Sequence, residues 1–428
     1  MVEFRNSSAV AEQARVLVAA IGSLGDLHPV LALGLELQRR GHRVTVASSE
    51  YYRAKVEALG FGFHPLRPNW DPTDPAIIAQ CEDMRTGPEV LVRKLVLPHL
   101  RDMTMDLIAA AADADMMIAT ELLFAAPLAA EKLGLPWVSA ILSPCSFLSA
   151  YDPSLLANIP EAYGLRKAGP LVNRAILELG RLGTRHWWQP VRELRRELGI
   201  RVECDPIFHD KFSPHLVLAL FSHVLAEPQP DWPTQTVQPG FIFFDQHGKD
   251  LPEVAEFLSA GEAPIVFTLG SAAVHNPGNF FEASQAAALQ LGRRALLVGA
   301  KDRQGIVAPG ILAVPYARYS EIFSKASAVV HQGGSGTTGQ AMRAGRPQLI
   351  VPYGWDQPDN GARIARLGAG LVLERTRYRA ETAAAMLKTL LEDGRFAARA
   401  AEMGAVIQGE DAIAKACDAV EMRIPVRG

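Results

Sequence analysis

Apolar residues along this chain occur in two arrangements, short continuous runs and longer stretches in which they recur every three or four positions. The run RVLVAA from Arg15 leads into a Gly-Ser pair, and LGDLHPVLALGLELQRRG then has helical spacing up to Gly41. A second apolar run, HRVTVAS, follows directly. Strand, helix and strand within about 33 residues form the smallest βαβ unit, whose two strands are parallel.

The same alternation continues through the first half of the chain. Four more apolar runs predict strands, with helical stretches between most of them: FGFHPL, MMIAT, PWVSAIL and HLVLAL. Around 226–263 the alternation gives way to a proline-rich segment without a sustained helical period. We interpret this segment as the connection between two domains.

After the connection, PIVFTLGS repeats the opening of the chain, and its strand again ends in a Gly-Ser pair. Further strands are predicted at RRALLVG, ILAVP, ASAVVHQ, QLIVPY and GLVLE, and a long Ala-rich helical stretch covers about 380–421. The pattern predicts an α/β protein of two similar units with parallel sheets. The expected divisions are a first domain over 14–225, the connection over 226–263, a second domain over 264–405 and a helical tail over 406–428.

Composition and charge narrow the class of protein. Hydrophobic residues make up 49% of the 428 positions and charged residues 21%, as in ordinary globular domains. The net charge of −3 leaves no basic excess for a phosphate backbone, which argues against nucleic acid as a partner. The four cysteines lack CxxC spacing, so we expect neither a zinc site nor disulfides. Without a signal-like start or an apolar run of about 18 residues, we expect a cytoplasmic protein with at most peripheral membrane contact.

The segment from 326 to 360 carries the most chemical information. His331 stands at the tip of a predicted strand, and TTGQAMRAG begins a helix shortly afterwards. Backbone N–H groups of small residues approach a diphosphate closely, and a helix N-terminus adds about half a positive charge. Neither GxxxxGK[ST] nor GxGxxG occurs here, so this phosphate cradle differs from the common nucleotide motifs. The loop between strand and helix consists of four small residues: Gly333, Gly334, Ser335 and Gly336.

A second polar cluster follows the strand QLIVPY, where Trp355, Asp356, Gln357 and Asn360 stand close together. A carboxylate and an amide side by side accept and donate hydrogen bonds to adjacent hydroxyls, as a sugar ring requires. The alternative is that Asp356 and Gln357 cap the helix that begins near Pro358.

The segment HQGGSGTTGQAMRAGRPQLIVPYGWDQPDN resembles the donor-binding signature of the nucleotide-sugar-dependent glycosyltransferases with the GT-B fold. GSLGDLHP resembles the amino-terminal acceptor-site motif of the sterol and glycopeptide branches, and LFSHVLAEPQPDWPTQTVQPGF is similar to the rhamnosyltransferase branch that makes rhamnolipids. The resemblance spans about Arg15 to about residue 375. It implies two Rossmann-like domains whose parallel sheets face each other across a cleft.

The resemblance also assigns the donor-binding residues. It implies that His331 contacts the donor diphosphate, together with the small-residue loop and Thr337. Asp356 and Gln357 would hold the sugar hydroxyls. Ser271 fits a serine that reaches a phosphate oxygen, and Tyr316, next to Pro315, would lie near the nucleobase.

For the catalytic base, the resemblance points to the first domain. Many relatives have a histidine in the first loop, and this chain has Asp26 there, with His28 as the rival base. A carboxylate with an ordinary pKa of about 3.9 is a weak base unless desolvation raises that pKa. Taken alone, Asp26 is also a candidate N-cap, with Leu27 opening the helix. The implied reaction is a single displacement with inversion at the anomeric carbon, without a metal or a cofactor beyond the nucleotide sugar.

The substrates stay open between alternatives. The donor is UDP-glucose or dTDP-rhamnose, and the acceptor is a small lipophilic or aromatic hydroxyl compound bound by loops over about 67–95 and 143–190. Trp187 and Trp188 either line an acceptor pocket or pack a helix. Two other functions compete: a catalytically silent auxiliary protein that keeps the fold, and a sugar-nucleotide epimerase. The remaining histidines, including His209, His215 and His223, lack metal-ligand spacing and are expected at the surface or in loops.

Overall fold

The protein is built on two sheets of seven strands each, and its computed structural model describes residues 13–245, 251–300 and 304–425. The first sheet has the order β3-β2-β1-β4-β5-β6-β7, and all its pairs are parallel. Its strands are β1 (Arg15–Ala19), β2 (Arg43–Ser48), β3 (Gly62–Pro65), β4 (Met116–Thr120), β5 (Trp137–Ile141), β6 (Leu216–Ala219) and β7 (Thr236–Val237).

The second sheet has the order β10-β11-β9-β8-β12-β13-β14 and is parallel except at one edge, where β10 runs antiparallel to β11. We call the units built on the two sheets the first and second domains. The predicted fold class, two Rossmann-like domains with parallel sheets, is thereby confirmed. The strands are β8 (Ile265–Thr268), β9 (Ala295–Val298), β10 (Gly305–Ala308), β11 (Ile311–Val314), β12 (Ala328–His331), β13 (Gln348–Ile350) and β14 (Gly370–Val372).

Sixteen α-helices occur in the described ranges, and none of them is both long and apolar enough to cross a membrane. In the first domain these are α1 (Leu24–Arg39), α2 (Arg53–Glu57), α3 (Pro75–Cys81), α4 (Gly87–Glu89), α5 (Leu100–Ala110), α6 (Ala126–Leu133), α7 (Pro170–Thr184) and α8 (Gln189–Leu198). The remainder are α9 (Pro252–Ser259), α10 (Phe280–Gln290), α11 (Tyr319–Ile322), α12 (Ser335–Arg343), α13 (Gln357–Arg366), α14 (Ala380–Glu392), α15 (Gly394–Gln408) and α16 (Ala412–Glu421). The proline-rich segment 226–263 contains β7 and α9.

Both faces of the first sheet are buried, which explains why its strands are continuously apolar rather than alternating. In β1, Val16 and Val18 belong to one apolar core, whereas Leu17 and Ala19 belong to another on the opposite face. Strand register keeps such residues level, since Val18 lies beside Val46 in β2 and Ile118 in β4. The strands therefore end at one common edge, where the loops that follow them are brought together.

The last described helix, α16, packs against the first domain although it follows the second domain in the chain. Its buried residues Ala416, Cys417 and Val420 belong to the same core as α1. Arg40 reinforces this packing, because its guanidinium pairs with Asp418 at 2.6 Å and with Glu421 at 2.7 Å. The end of the chain thus connects the two domains a second time.

Two groups of polar contacts join the domains on either side of the cleft. On one side, Glu82 of the first domain accepts hydrogen bonds from Asn276 at 2.9 Å and Arg375 at 3.1 Å. On the other, Arg363 of α13 pairs with Asp152 of the first domain and, at 2.7 Å, with Asp359. The side chains of Arg363 and Asp359 are each only 2% exposed, so this group is held out of water.

Replacing Arg363 with methionine is expected to lower the free energy of unfolding by about 3–5 kcal/mol, since Asp359 would be left as an unpaired buried carboxylate. Arg366→Met is the matched control, because Arg366 contacts the same Asp152 at 3.1 Å but is 41% exposed, and its loss should cost less than about 1 kcal/mol. Urea unfolding of both variants measures the difference. Equal losses would show that the buried pair does not stabilise the interface.

Candidate functional site

The candidate site lies where the strand-end loops of the two sheets meet. The loop after β1 and the loop after β8 both contain the Gly-Ser pair seen in the sequence, and the hydroxyls of Ser23 and Ser271 are 3.4 Å apart across the cleft. Gly22 and Gly270 have positive φ angles of 113° and 67°, which glycine adopts without strain. The two repeats of the sequence pattern therefore face each other, and the contact of Ser271 with a phosphate oxygen stays a prediction.

Asp26 is held at the amino end of α1 by its own capping arrangement. The Ser23 N–H donates to Asp26 Oδ2 at 2.8 Å, and the Gly25 N–H donates to Ser23 Oγ at 3.1 Å. Ser23 is therefore the N-cap and Asp26 the third helical residue. The alternative prediction, in which Asp26 caps a helix opened by Leu27, is wrong because the helix begins at Leu24.

The Asp26 carboxyl group is kept largely from water, and this burial raises its pKa to about 7. Two other carboxylates, Glu121 and Asp356, raise it further by repulsion, while the hydrogen bonds from Ser23 act in the opposite direction. Asp356 belongs to the second domain. The proton affinity of Asp26 thus depends on groups from both sides of the cleft.

Glu121 and Lys211 belong to this site and were not found by sequence reasoning. Glu121 directly follows β4, and its carboxylate is hydrogen-bonded to the Ser146 side chain. Burial raises the pKa of Glu121 and lowers that of Lys211, and the opposite charges of the two groups partly offset each other. The available signal was a single acidic residue immediately after a buried strand, on the sheet edge that carries Asp26.

His28, the rival base, lies two positions after Asp26 in α1, and its surroundings suit a base less well. Its ring stacks on Phe244 with centroids 4.6 Å apart. Burial, followed by repulsion from Lys55, lowers the pKa of His28 to about 3. The ring is therefore neutral near pH 7, and it binds a proton far less readily than Asp26.

The small-residue loop after β12 leads into α12 and forms the other side of the site. Gly333 has a φ of 95°, and Gly334 is the N-cap of α12 without any side-chain cap. A side chain at Gly336 would meet only open space. The Ser335 N–H is directed at the Asp356 carboxylate, and the N–H groups of Gly336 and Thr337 have no partner within the helix, which suits an anion at this helix end. Thr337 is buried beneath them.

His331 is completely buried beneath this loop, and both of its ring nitrogens have partners within the protein. Its Nε2 lies 2.8 Å from Gln348 Oε1, an atom that only accepts, so Nε2 carries the proton. Nδ1 then accepts the Gly333 N–H at 3.0 Å. Burial lowers the pKa of His331 to about 4, so the ring is neutral. The diphosphate contact implied for His331 stays a prediction, and it requires the ring to exchange one of these partners.

Asp356 lies beside the small-residue loop over 333–336, which we call the phosphate loop, rather than apart from it. Its Oδ2 accepts from Ser335 Oγ at 2.7 Å and from Asn360 Nδ2 at 2.8 Å, and burial raises its pKa. The neighbouring Gln357 uses its Oε1 to accept the backbone N–H groups of residues 353 and 354. This contact fixes Gln357 within the turn after β13. The two polar clusters predicted from the sequence are therefore one connected network.

Trp355, directly before Asp356, has a φ of 58°, which is unusual for any residue other than glycine. Its indole Nε1 is buried and has no hydrogen-bond partner among the described residues. A left-handed conformation costs about 1–2 kcal/mol in a residue with a side chain. Such strain is characteristic of functional sites, and here it sets the direction of the chain into α13.

Tyr316 and the tryptophans lie outside this network. Tyr316 follows β11 at the same edge of the second sheet and is 58% exposed, which suits contact with a ligand. Trp188 is buried and packs against Phe124, so its alternative as a helix-packing residue is confirmed. Trp187 lines a cavity of about 530 Å³ between α5 and α8, whose lining includes none of the site residues described above.

The three histidines expected at the surface or in loops differ in their surroundings. His209 is exposed, His215 is half-buried, and His223 lies 3.5 Å from Glu410 at the surface. Within the described ranges, no group of three or more His, Cys, Asp or Glu side chains is placed to hold a metal ion.

Comparison with known proteins places this geometry among glycosyltransferases. Residues 16–151 match the glycosyltransferase family 28 N-terminal domain, and residues 296–418 match the C-terminal domain of erythromycin biosynthesis protein CIII-like proteins. O-mycaminosyltylonolide 6-deoxyallosyltransferase of Streptomyces fradiae is 33% identical, with 95% of this chain and 97% of that protein covered.

A more distant relative and a solved structure extend the comparison. A sterol 3-beta-glucosyltransferase of Aspergillus oryzae is 28% identical over 96% of this chain, which spans 30% of that longer protein. The solved structure of the spinosyn rhamnosyltransferase complexed with thymidine diphosphate has a TM-score of 0.69 and 20% identity, covering 95% of this chain and 100% of that one. The last similarity concerns the fold alone.

Gly22→Ala is expected to displace the Asp26 carboxylate, because a Cβ at Gly22 would lie 2.5 Å from Asp26 Oδ2. Gly41→Ala is the matched control, since Gly41 also has a positive φ, of 95°, but a Cβ there meets nothing within 4 Å. Both variants should lose about 1–2 kcal/mol of stability from the backbone conformation. Only Gly22→Ala should lower turnover, by about tenfold or more. Equal turnover in the two variants would show that the position of Asp26 is unimportant.

Proposed function

This chain belongs to the nucleotide-sugar-dependent glycosyltransferases of the GT-B fold, and we propose that it transfers glucose or rhamnose from a UDP- or dTDP-linked donor to a hydroxyl of a small lipophilic or aromatic acceptor, with inversion. The named relatives support transfer of a hexose to a hydroxyl of a lipophilic acceptor, since one transfers 6-deoxyallose to O-mycaminosyltylonolide and another glucose to a sterol. The single observation that carries the proposal is the position of Asp26, a carboxylate with a pKa of about 7, opposite the phosphate loop.

Asp26 is the general base of the proposed reaction. A base works best when its pKa lies near the operating pH, and the burial of Asp26 between the domains brings its pKa into that range. His28 is unsuited to this task because its pKa of about 3 makes it a much weaker base. The repulsion from Glu121 raises the pKa of Asp26, which favours uptake of the acceptor proton by Asp26.

The donor diphosphate is proposed to bind at the amino end of α12. The N–H groups at Ser335, Gly336 and Thr337 lack intrahelical partners, and their dipoles favour negative charge. The Ser271 hydroxyl, in the loop after β8, lies 3.4 Å from the Ser23 hydroxyl across the cleft. Asp356 and Gln357 lie next to the same helix end, where the sugar hydroxyls would follow the phosphates.

The reaction is a single displacement. The acceptor oxygen forms a bond to the anomeric carbon while its proton passes to the Asp26 carboxylate, and the bond from the anomeric carbon to the diphosphate oxygen breaks. The bonding electrons leave with the nucleoside diphosphate. Negative charge grows on that leaving group, and N–H dipoles already aimed at it stabilise the transition state without rearrangement. His331 supports this loop from below through its contact with Gly333.

Asp26→Asn is expected to lower kcat by about 10²–10⁴-fold, the usual contribution of general base catalysis, while the Kd for UDP or dTDP changes by less than about twofold. The amide oxygen of asparagine keeps the acceptor for the Ser23 N–H, so the cap is preserved. Transfer from UDP-glucose and dTDP-rhamnose to a panel of phenols and sterols measures kcat, and calorimetry measures Kd.

The comparison variant Asp356→Asn should act on the donor instead, raising its KM more than it lowers kcat. Unchanged turnover of Asp26→Asn would remove Asp26 as the base. Absence of nucleotide binding and transfer in the wild-type protein would instead favour the silent auxiliary protein.

The pH dependence follows from the same group. Because Asp26 must be ionised to accept a proton, kcat/KM should rise about tenfold per pH unit below an apparent pKa near 7 and level off above it. Glu121→Gln should move this limb to lower pH, because it removes a neighbouring negative charge. A profile that is flat between pH 5 and 8 would contradict the assignment.

The free energy of unfolding should depend on pH in the opposite direction to kcat/KM. The pKa of Asp26 is higher in the folded protein than in the unfolded chain, so its stabilising contribution is present at low pH and is lost as the pH rises through 7. Asp26→Asn should therefore raise the free energy of unfolding at pH 8 by on the order of 1–3 kcal/mol and change it little at pH 4. Urea unfolding at the two pH values measures this effect.

A further inference from the structure

Helix α7 presents its apolar side to solvent. Leu171 is 82% exposed, Leu179 is 70%, Leu182 is 56% and Val172 is 41%. At 100° per residue these four side chains fall within about 100° of arc, so they form one continuous stripe. A helix of a globular domain ordinarily turns such a stripe toward the core, and a contiguous apolar patch at the surface marks an interaction site.

The inner side of α7 combines a buried polar residue with the partly buried Ile176 and Leu177. Asn173 is the buried residue of this helix, and its Nδ2 donates to the Ala150 carbonyl at 2.9 Å. The helix thus has a defined orientation, and Leu171, Leu179 and Leu182 face outward. No other segment in the described ranges covers them.

Basic residues accompany the apolar stripe. Between positions 159 and 186 the chain has five basic and two acidic side chains, a local positive excess in a protein whose net charge is −3. Both acidic groups are already paired, Glu161 with Arg85 and Glu178 with Arg181, each at 2.7 Å. Arg174 and Arg185 have no acidic partner among the described residues and lie along one flank of the stripe.

We propose that this face of α7, defined by Leu171, Val172, Leu179 and Leu182 with the flanking Arg174 and Arg185, docks the protein on an anionic lipid surface. An amphipathic helix with an apolar face and an arginine-rich border lies in the membrane interface, where anionic headgroups attract the arginines. The composition favours lipid over a protein partner. Binding hot spots between proteins are enriched in Trp and Tyr, whereas leucine and valine are under-represented there.

Docking through α7 goes beyond the proposed function and does not depend on it. The helix lies in the long insertion between β5 and β6 of the first sheet, whose edge also carries Asp26. Membrane binding would therefore bring the first domain to the place where a lipophilic acceptor is dissolved.

The test is co-sedimentation of the full chain with vesicles of phosphatidylcholine alone or with phosphatidylglycerol added. The wild-type protein should bind the anionic vesicles about tenfold or more tightly than the neutral ones, and 0.5 M salt should weaken the binding. Leu171→Glu together with Leu179→Glu should reduce binding to anionic vesicles by about tenfold or more. Arg174→Ala and Arg185→Ala should each reduce it by about fivefold.

Leu289→Glu is the matched control, because Leu289 is also an exposed leucine, at 47%, on the distant helix α10. It should bind vesicles like the wild type. Wild-type binding that is absent, or insensitive to the α7 changes, would overturn the proposal, as would variants that alter only the oligomeric state and leave vesicle binding intact. The Kd for UDP or dTDP should be the same in the wild type, the α7 variants and the control, because the proposed donor site lies in the second domain, so a failure of the proposed function is recognised separately.

Discussion

The proposed chemistry of this protein depends on a partly buried carboxylate between two domains. Asp26 lies at the amino end of α1, where the Ser23 N–H and the helix dipole stabilise its ionised form. Burial and the neighbouring carboxylates oppose ionisation more strongly, so the pKa rises to about 7. Gly22 makes this arrangement possible, because any side chain there would occupy the position of the carboxylate. The local fold and the chemical property therefore have the same origin.

The desolvation of Asp26 depends on how the domains are held together. Asp356 reaches its neighbourhood from the second domain, and the contacts on either side of the cleft keep the domains in that position. The return of α16 to the first domain adds a further connection. Opening the cleft would admit water and remove one negative neighbour, and both changes would lower the pKa of Asp26. Asp26 thus keeps its raised pKa only while the domains are close together.

Much of the fold was predictable because buried parallel strands leave a clear pattern. Continuous apolar runs marked the strands, and the two Gly-Ser pairs marked the loops that meet across the cleft. The polar residues after the strands of the second sheet were also found, since glycines and hydroxyls in a loop before a helix have a recognisable chemistry. Asp26 was found through resemblance, and the structure adds the physical reason for its basicity.

Other features could not be predicted because they depend on contacts between distant parts of the chain. Glu121 and Lys211 are single charged residues, and only the fold brings them together. The Ala-rich pattern of α16 predicted a helix but contained no information on which domain it packs against. The two partners of the His331 ring likewise become visible only when Gln348 and Gly333 are placed around it.

The proposed anionic donor would enter an acidic cleft, so charge balance matters for its binding. Asp26, Glu121 and Asp356 together would repel a diphosphate if all three were ionised, but burial raises the pKa of each. A bound diphosphate would add negative charge and favour a proton on Glu121 or Asp356, whereas the proposed reaction requires an ionised Asp26. The positive end of α12 and the Lys211 ammonium offset part of the remaining repulsion. In the proposed complex, local dipoles would hold the nucleotide sugar, and the near-neutral chain would need no basic surface to bind it.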